Sequence, residues 1–190
     1  FIEDAVVMYK GTAIITRPGS DSRKPEIIDV EKVVAELGHP VTRISEPGTL
    51  DGGDVLKVDD TIYVGLGGRT NAEGIAQFAA IVEPLGAKVV TVPITKVLHL
   101  KSAVTALPSG EILGFDAFVD DPTIFPDFIA VPEESGAHVV IVGDKRLLMA
   151  ADAPETAETL RDMGYFVIEV DISEFIKLEG CVTCLSVRIR

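Results

Sequence analysis

Apolar positions in this chain come in short runs, cut by glycine, proline and paired polar residues, and the runs recur in one order. Ala5–Tyr9 reads as a strand, Lys10-Gly11 as a tight turn and Thr12–Thr16 as a second strand. A polar loop through Pro18, Gly19 and Ser20 leads to a helix over about Lys24–Leu37, where Ile27, Ile28, Val33, Val34 and Leu37 fall near helical spacing. Gly38 stands in a C-cap position and Val41–Ile44 reads as a third strand. The same order returns as Asp54–Val58, a turn at Asp59-Asp60, Ile62–Gly65, a loop at Gly67-Gly68, a helix over about Asn71–Leu85 closed by Gly86, and Lys88–Val92. It returns again as His138–Val142, a turn at Gly143-Asp144, Arg146–Ala150, a helix over about Pro154–Met163 closed by Gly164, and Phe166–Val170. A blurred copy spans Ala103–Val131, with a hairpin turn at Pro108-Ser109-Gly110 and a short helix broken by Pro122 and Pro126.

The pattern predicts an array of strand–strand–helix–strand modules with a period of about 40 residues, the size expected of solenoids and propeller-like arrays. A plain α/β sandwich built of similar units is the other reading. After the fourth module one lone strand is predicted, Val182–Ile189; in a radial array it opens a fifth module beside the start of the chain. The chain begins Phe1-Ile2-Glu3-Asp4-Ala5-Val6-Val7, which reads as the middle of a folded unit, so residues completing that module are expected upstream.

At 190 residues one domain with a sizeable core is the expectation, and 47% hydrophobic with 25% charged residues is ordinary for a globular chain. The net charge of −13 argues against nucleic acid and is compatible with a small cationic substrate. No apolar run approaches the roughly 18 residues that a membrane helix needs, and nothing reads as a signal peptide. Two cysteines three positions apart make no disulfide framework, so a reducing, cytoplasmic setting is expected.

Those cysteines lie in Gly180-Cys181-Val182-Thr183-Cys184-Leu185-Ser186. A zinc site would need a second ligand pair that the chain lacks. A redox Cys-x-x-Cys pair normally opens a helix, whereas Leu185–Arg190 alternates with strand period. A core thiol and a nucleophile remain, and the nucleophile at Cys184 is favoured because the chain also offers bases and carboxylates. His39, between Gly38 and Pro40, reads as an exposed turn residue, and His138 as structural at a strand start. His99, in Leu98-His99-Leu100-Lys101-Ser102, could be a hydrogen-bonded core histidine; its place between two modules favours the base. Asp51-Gly52-Gly53-Asp54 is turn chemistry, and its glycines also allow close backbone approach to a ligand. Asp54 reads as a residue that pins the loop. Glu3 and Asp4, if on a strand, point to opposite faces, so one at most faces a given pocket. Arg23 and Arg69 occupy matching positions before two helices, where arginine can brace the module or grip a carboxylate with two parallel bonds.

Taken together, Phe1-Ile2-Glu3-Asp4, Ser22-Arg23, Leu50-Asp51-Gly52-Gly53-Asp54-Val55, Gly65-Leu66-Gly67-Gly68-Arg69-Thr70-Asn71, Leu98-His99-Leu100-Lys101-Ser102 and Thr183-Cys184-Leu185-Ser186 resemble the dimethylarginine dimethylaminohydrolase family of guanidino-modifying enzymes. The resemblance runs the length of the chain. It implies an α/β propeller of strand–strand–helix–strand modules about a pseudo-fivefold axis, the pentein fold, here as one domain over residues 1–190 lacking part of one blade. Cys184 would be the nucleophile, His99 the general acid and base, and Asp51 the carboxylate that orients and charges His99. Asp4 and Glu3 would hold the guanidinium, Arg23 and Arg69 the α-carboxylate, and Ser102 and the backbone of Leu178 the amino-acid end. Members of the family carry, ahead of the Phe-x-Glu-Asp segment, a further aspartate and a loop that closes over the substrate; both would lie upstream of this chain. Cys181 departs from the family, where an aliphatic residue or glycine is expected.

The implied reaction is hydrolysis of Nω-methylated arginine to citrulline and methylamine or dimethylamine, through a covalent thiouronium on cysteine. It requires neither metal nor organic cofactor. An arginine deiminase, an amidinotransferase and a catalytically incomplete guanidino-binding protein are the alternatives on the same scaffold, and a Cys181–Cys184 dithiol switch is a further one. The implied partner is a small cationic amino acid; the resemblance allows a homodimer, and the sequence leaves the oligomeric state open.

Overall fold

The computed structural model describes residues 1–189. Its strands are β1 (Val6–Tyr9), β2 (Thr12–Ile15), β3 (Val41–Arg43), β4 (Val55–Val58), β5 (Thr61–Leu66), β6 (Lys88–Pro93), β7 (Val104–Ala106), β8 (Ile112–Gly114), β9 (Phe128–Ala130), β10 (Val139–Gly143), β11 (Arg146–Ala150) and β12 (Phe166–Val170). Its α-helices are α1 (Ile27–Glu36), α2 (Ala72–Val82), α3 (Pro154–Asp162) and α4 (Ser173–Ile176).

The strands form four three-stranded sheets, each taking its strands in chain order. In each, the first two strands are an antiparallel hairpin and the third lies parallel to the second. A hairpin needs only a tight turn. At the first, Lys10 and Gly11 have φ of 43° and 80°, the left-handed pair whose twist matches the strands. A parallel third strand needs a crossover, supplied by α1, α2 and α3 in three modules. In the remaining one, Pro122 and the short segment allow only the 3₁₀ turns Asp116–Phe118 and Pro122–Ile124 before β9. Gly38, Gly86 and Gly164 follow the three crossover helices with φ near 84°, 93° and 89°, left-handed positions that end a helix cheaply only with glycine. The repeat read from the sequence is therefore present, with element ends shifted by up to three residues.

Two compact units result: Phe1–Leu100 with the residues from Ser186 onward, and Lys101–Leu185. In the first, Val7, Ile14, Leu50, Ile62, Val64 and Phe78 pack into one core, and Val6, Met8, Ala13, Ile15 and Val34 into another. In the second, Leu113, Val139, Leu147, Met149 and Leu160 build the main core. Among the described residues no helix is long and apolar enough to cross a membrane.

Four local expectations are corrected. The first helix starts as a 3₁₀ turn over Asp21–Glu26, because Pro25 has no N–H to donate and crowds the preceding turn. Its buried face is Val34 with Ile27 and Val30, while Ile28, Val33 and Leu37 are exposed. Glu3 and Asp4 lie on the 3₁₀ turn Ile2–Asp4, not on a strand, so strand alternation does not divide them. No strand forms over 182–189: Cys184 N–H bonds the Cys181 carbonyl at 3.1 Å in a turn, and a strand-like pattern makes a strand only where a neighbouring strand completes the ladder.

Phe78 is fully buried on α2. Phe78→Ala is expected to cost about 3–5 kcal/mol, read as a lower denaturant midpoint at unchanged slope. Val33→Ser, on the exposed side of α1, is expected to stay within about 0.5 kcal/mol of the parent.

Candidate active site

The first unit gathers Asp4, Asp51, Asp54 and His99. Asp51 holds extended backbone, and Gly52–Asp54 then make one 3₁₀ turn into β4. A Cβ on Gly52 would stand 2.0 Å from the Glu3 carbonyl oxygen, and one on Gly53 2.7 Å from Asp4 Oδ1 and 2.9 Å from the His99 ring. Two consecutive glycines are thus what lets the Ile2–Asp4 turn and His99 close on this loop. The approach is then used: Gly53 N–H donates to Asp4 Oδ1 at 2.8 Å.

Asp51 accepts from Gly19 N–H at 2.8 Å on Oδ1 and faces His99 Nε2 at 2.9 Å with Oδ2. Asp4 Oδ1 lies 3.9 Å from the same nitrogen. With carboxylates on that side, Nε2 carries the proton and Nδ1 is left for chemistry. Asp54 joins the loops: Thr70 Oγ1 donates to its Oδ2 at 2.5 Å, Leu100 N–H to its Oδ1 at 2.9 Å, and Thr70 Oγ1 also accepts from Asp51 N–H at 3.1 Å. Asp54 therefore pins the loop, as read from the sequence. The sequence reading assigned Thr70 and Gly19 no role of their own, because their bonds reach partners distant in sequence.

Asp51 and Asp54 are wholly buried, Asp4 and His99 nearly so. Burial opposes charge on His99, but the Asp51 hydrogen bond and the fields of Asp4, Asp54 and Asp51 outweigh it and raise its pKa. Burial raises Asp54 to about 6, against His99 and the bonds from Thr70 and Leu100. Burial also pushes Asp4 upward, yet His99, Arg23 and the Gly53 N–H together bring it below its ordinary value. Asp4, Asp51 and His99 offer ligand atoms within 4.8 Å of one another, so they are also the group that could hold a cation.

The two arginines differ. Arg23 donates Nη1 to Asp4 Oδ2 at 2.7 Å, Nη2 to Glu26 at 2.8 Å and Nη2 to the Phe1 carbonyl at 3.1 Å. Arg69, in the loop before α2, has Nη1 buried with no hydrogen-bond partner among the described residues. Glu3 is half-buried, with its carbonyl oxygen packed against Gly52.

The second unit carries Cys181, Cys184, Ser102 and Leu178. Cys181 is buried and Cys184 half-buried, neither in a disulfide, with the sulfurs 3.1 Å apart and Thr183 Oγ1 3.1 Å from Cys181 Sγ. The Cys184 thiol bond, against burial and with help from the field of His138 and from Thr183, holds the Cys181 thiol well below the usual thiol range. Ser102 offers its carbonyl to His138 Nε2 at 3.0 Å. Leu178 has an exposed side chain, and its N–H bonds the Phe175 carbonyl at 2.9 Å. His39 is half-buried with Nδ1 on the Gly11 carbonyl at 2.9 Å, not an exposed turn residue, because the Lys10-Gly11 turn comes up against it.

No family model matches the chain. Individual proteins do. Dimethylarginine dimethylaminohydrolase of Streptomyces coelicolor is 64% identical over 190 residues, which is 100% of this chain and 74% of that protein. The Pseudomonas aeruginosa protein of the same name is 43% identical over 193 residues, 99% of this chain and 75% of its own. The solved structure of a cysteine-to-serine variant of the Pseudomonas aeruginosa enzyme, complexed with citrulline, superposes with a TM-score of 0.89 at 40% identity, over 97% of this chain and 73% of that one.

Because folding raises the His99 pKa above the unfolded value of about 6.5, its contribution to stability is complete below that pH and is lost as pH rises through the native pKa. Asp51→Asn is expected to lower the His99 pKa in an NMR titration and to shrink that loss of stability above pH ~6.5. An unmoved titration would remove the Asp51 hydrogen bond as the cause.

Proposed function

The chain belongs to the dimethylarginine dimethylaminohydrolase family, and on that premise we propose that it hydrolyses Nω-methylated arginine to citrulline and an alkylamine with Cys184 as nucleophile. It is a hydrolase of the guanidino C–N bond. The observation that carries the assignment of roles is the buried imidazole of His99, 2.9 Å from Asp51 and 3.9 Å from Asp4, in a chain 64% identical to a named member.

A guanidinium carbon is a poor electrophile because its charge is delocalised. Carboxylates that hold the cation, and a proton donor for the leaving amine, make attack by a thiolate feasible. In this reading Asp4 and Glu3 receive the guanidinium and Cys184 adds to its carbon. His99, kept charged by Asp51, protonates the departing amine as the adduct collapses. The thiouronium that remains is attacked by water, with His99 now taking the proton, and citrulline leaves. The raised pKa of His99 suits the acid half of that cycle. Arg69 is the better placed receiver of the α-carboxylate, since its buried Nη1 lacks a partner; Arg23 would exchange its bond to Glu26, a half-exposed residue, for the same carboxylate. Ser102 and the Leu178 backbone serve the amino-acid end. In the same reading the four sheets are blades of one propeller domain about a pseudo-fivefold axis.

Citrulline formation from methylarginine by the purified protein is the direct test. Cys184→Ser is expected to abolish it, and His99→Ala to lower turnover by about a hundredfold or more with a smaller change in KM. Near-normal turnover in His99→Ala would return that residue to the core.

Arg69→Lys keeps the charge and loses the fork. It is expected to raise KM for methylarginine by about tenfold and to leave that for a decarboxylated analogue nearly unchanged. Equal losses would make Arg69 a brace for α2.

A further inference from the structure

Cys181 is a reactive side chain beside the assigned nucleophile that hydrolysis does not use. It is buried, with its sulfur 3.1 Å from that of Cys184. The Cys184 N–H to Cys181 carbonyl bond of 3.1 Å closes the intervening backbone as a turn, a geometry that keeps the outer Cα atoms within about 7 Å. A disulfide needs Cα atoms about 4.4–6.8 Å apart and sulfurs about 2.05 Å apart, so the sulfurs have about 1 Å to close and the turn already brings the two backbones near that range. Cys184 is the more exposed of the two and meets a soluble oxidant first.

We propose that Cys181 is a resolving thiol for Cys184, and that the pair is a reversible oxidation site taking low-molecular-weight disulfides as oxidant. The Cys184 thiolate attacks one sulfur of the small disulfide; a new S–S bond forms, the old one breaks, and one small thiolate leaves. The Cys181 thiolate then attacks Cys184 Sγ, displaces the second small thiolate and closes the protein disulfide. Two electrons pass from the protein sulfurs to the small disulfide, which departs as two thiols. A dithiol reductant reverses both steps. Closure also keeps Cys184 from the irreversible sulfinic and sulfonic states. The consequence for turnover rests on Cys184 being the hydrolytic nucleophile; formation of the disulfide does not.

The test is intact-protein and peptide mass spectrometry after incubating the reduced protein with oxidised glutathione. The expected product has lost two hydrogens, both within the peptide 178–188, and dithiothreitol restores them. Cys181→Ser, or Cys181→Ala should the first fold poorly, is expected to stop at a stable glutathione adduct on Cys184. Accumulation of that mixed disulfide in the parent protein, or an unmodified parent, overturns the proposal. Loss of citrulline formation on closure, with recovery in dithiothreitol, supports it further. A closed disulfide with turnover unchanged would leave the oxidation site standing and sink the assignment of Cys184 as nucleophile.

Discussion

Keeping three carboxylates buried beside one imidazole is the constraint on which the first unit turns. An ionised carboxylate out of water is tolerated only when bonded and paired. Each one here is served: Asp51 by Gly19 and His99, Asp4 by Gly53 and Arg23, Asp54 by Thr70 and Leu100. The donors come from five separate stretches of chain, so the loops are held by the charges as much as the charges by the loops. Gly52 and Gly53 make the assembly sterically possible, since neither position leaves room for a side chain.

The burden of charge is divided unevenly. Asp54, with the least compensation, is raised to about 6, whereas Asp4, with Arg23 against it, is lowered. Asp4 thus already holds one guanidinium, that of Arg23, on Oδ2. That contact is a single Nη1 bond, the remaining Asp4 oxygen accepting from Gly53 N–H. The matching positions of Arg23 and Arg69 hide a difference of state: the first is fully engaged, the second keeps a buried donor unspent.

On the second unit the acidity of the thiols is a property of the pair. The Cys184 thiol, Thr183 and the field of His138 favour the Cys181 thiolate against burial, so the lowering of Cys181 depends on its neighbours. Of the two sulfurs, Cys184 is the more exposed.

The period-two runs, the glycines after α1, α2 and α3 and the hairpin turns were legible in the sequence because each is a local matter of backbone sterics and side-chain alternation, and all four modules appeared where those signals stood. That Asp4, Asp51 and His99 carry reactive groups was legible too, and the structure brings those three together. What tertiary structure alone decided was everything that depends on a partner distant in sequence. Over 182–185 the pattern became a turn, and among the described residues no strand pairs with 182–189; Val30 replaced Ile28 on the buried face of α1 because a sheet fixes which stripe is covered. Thr70 and Gly19 became supports of the Asp51 loop, Arg23 and Arg69 were set apart, and two thiols separated by a valine and a threonine came within 3.1 Å, all through contacts that no local pattern encodes.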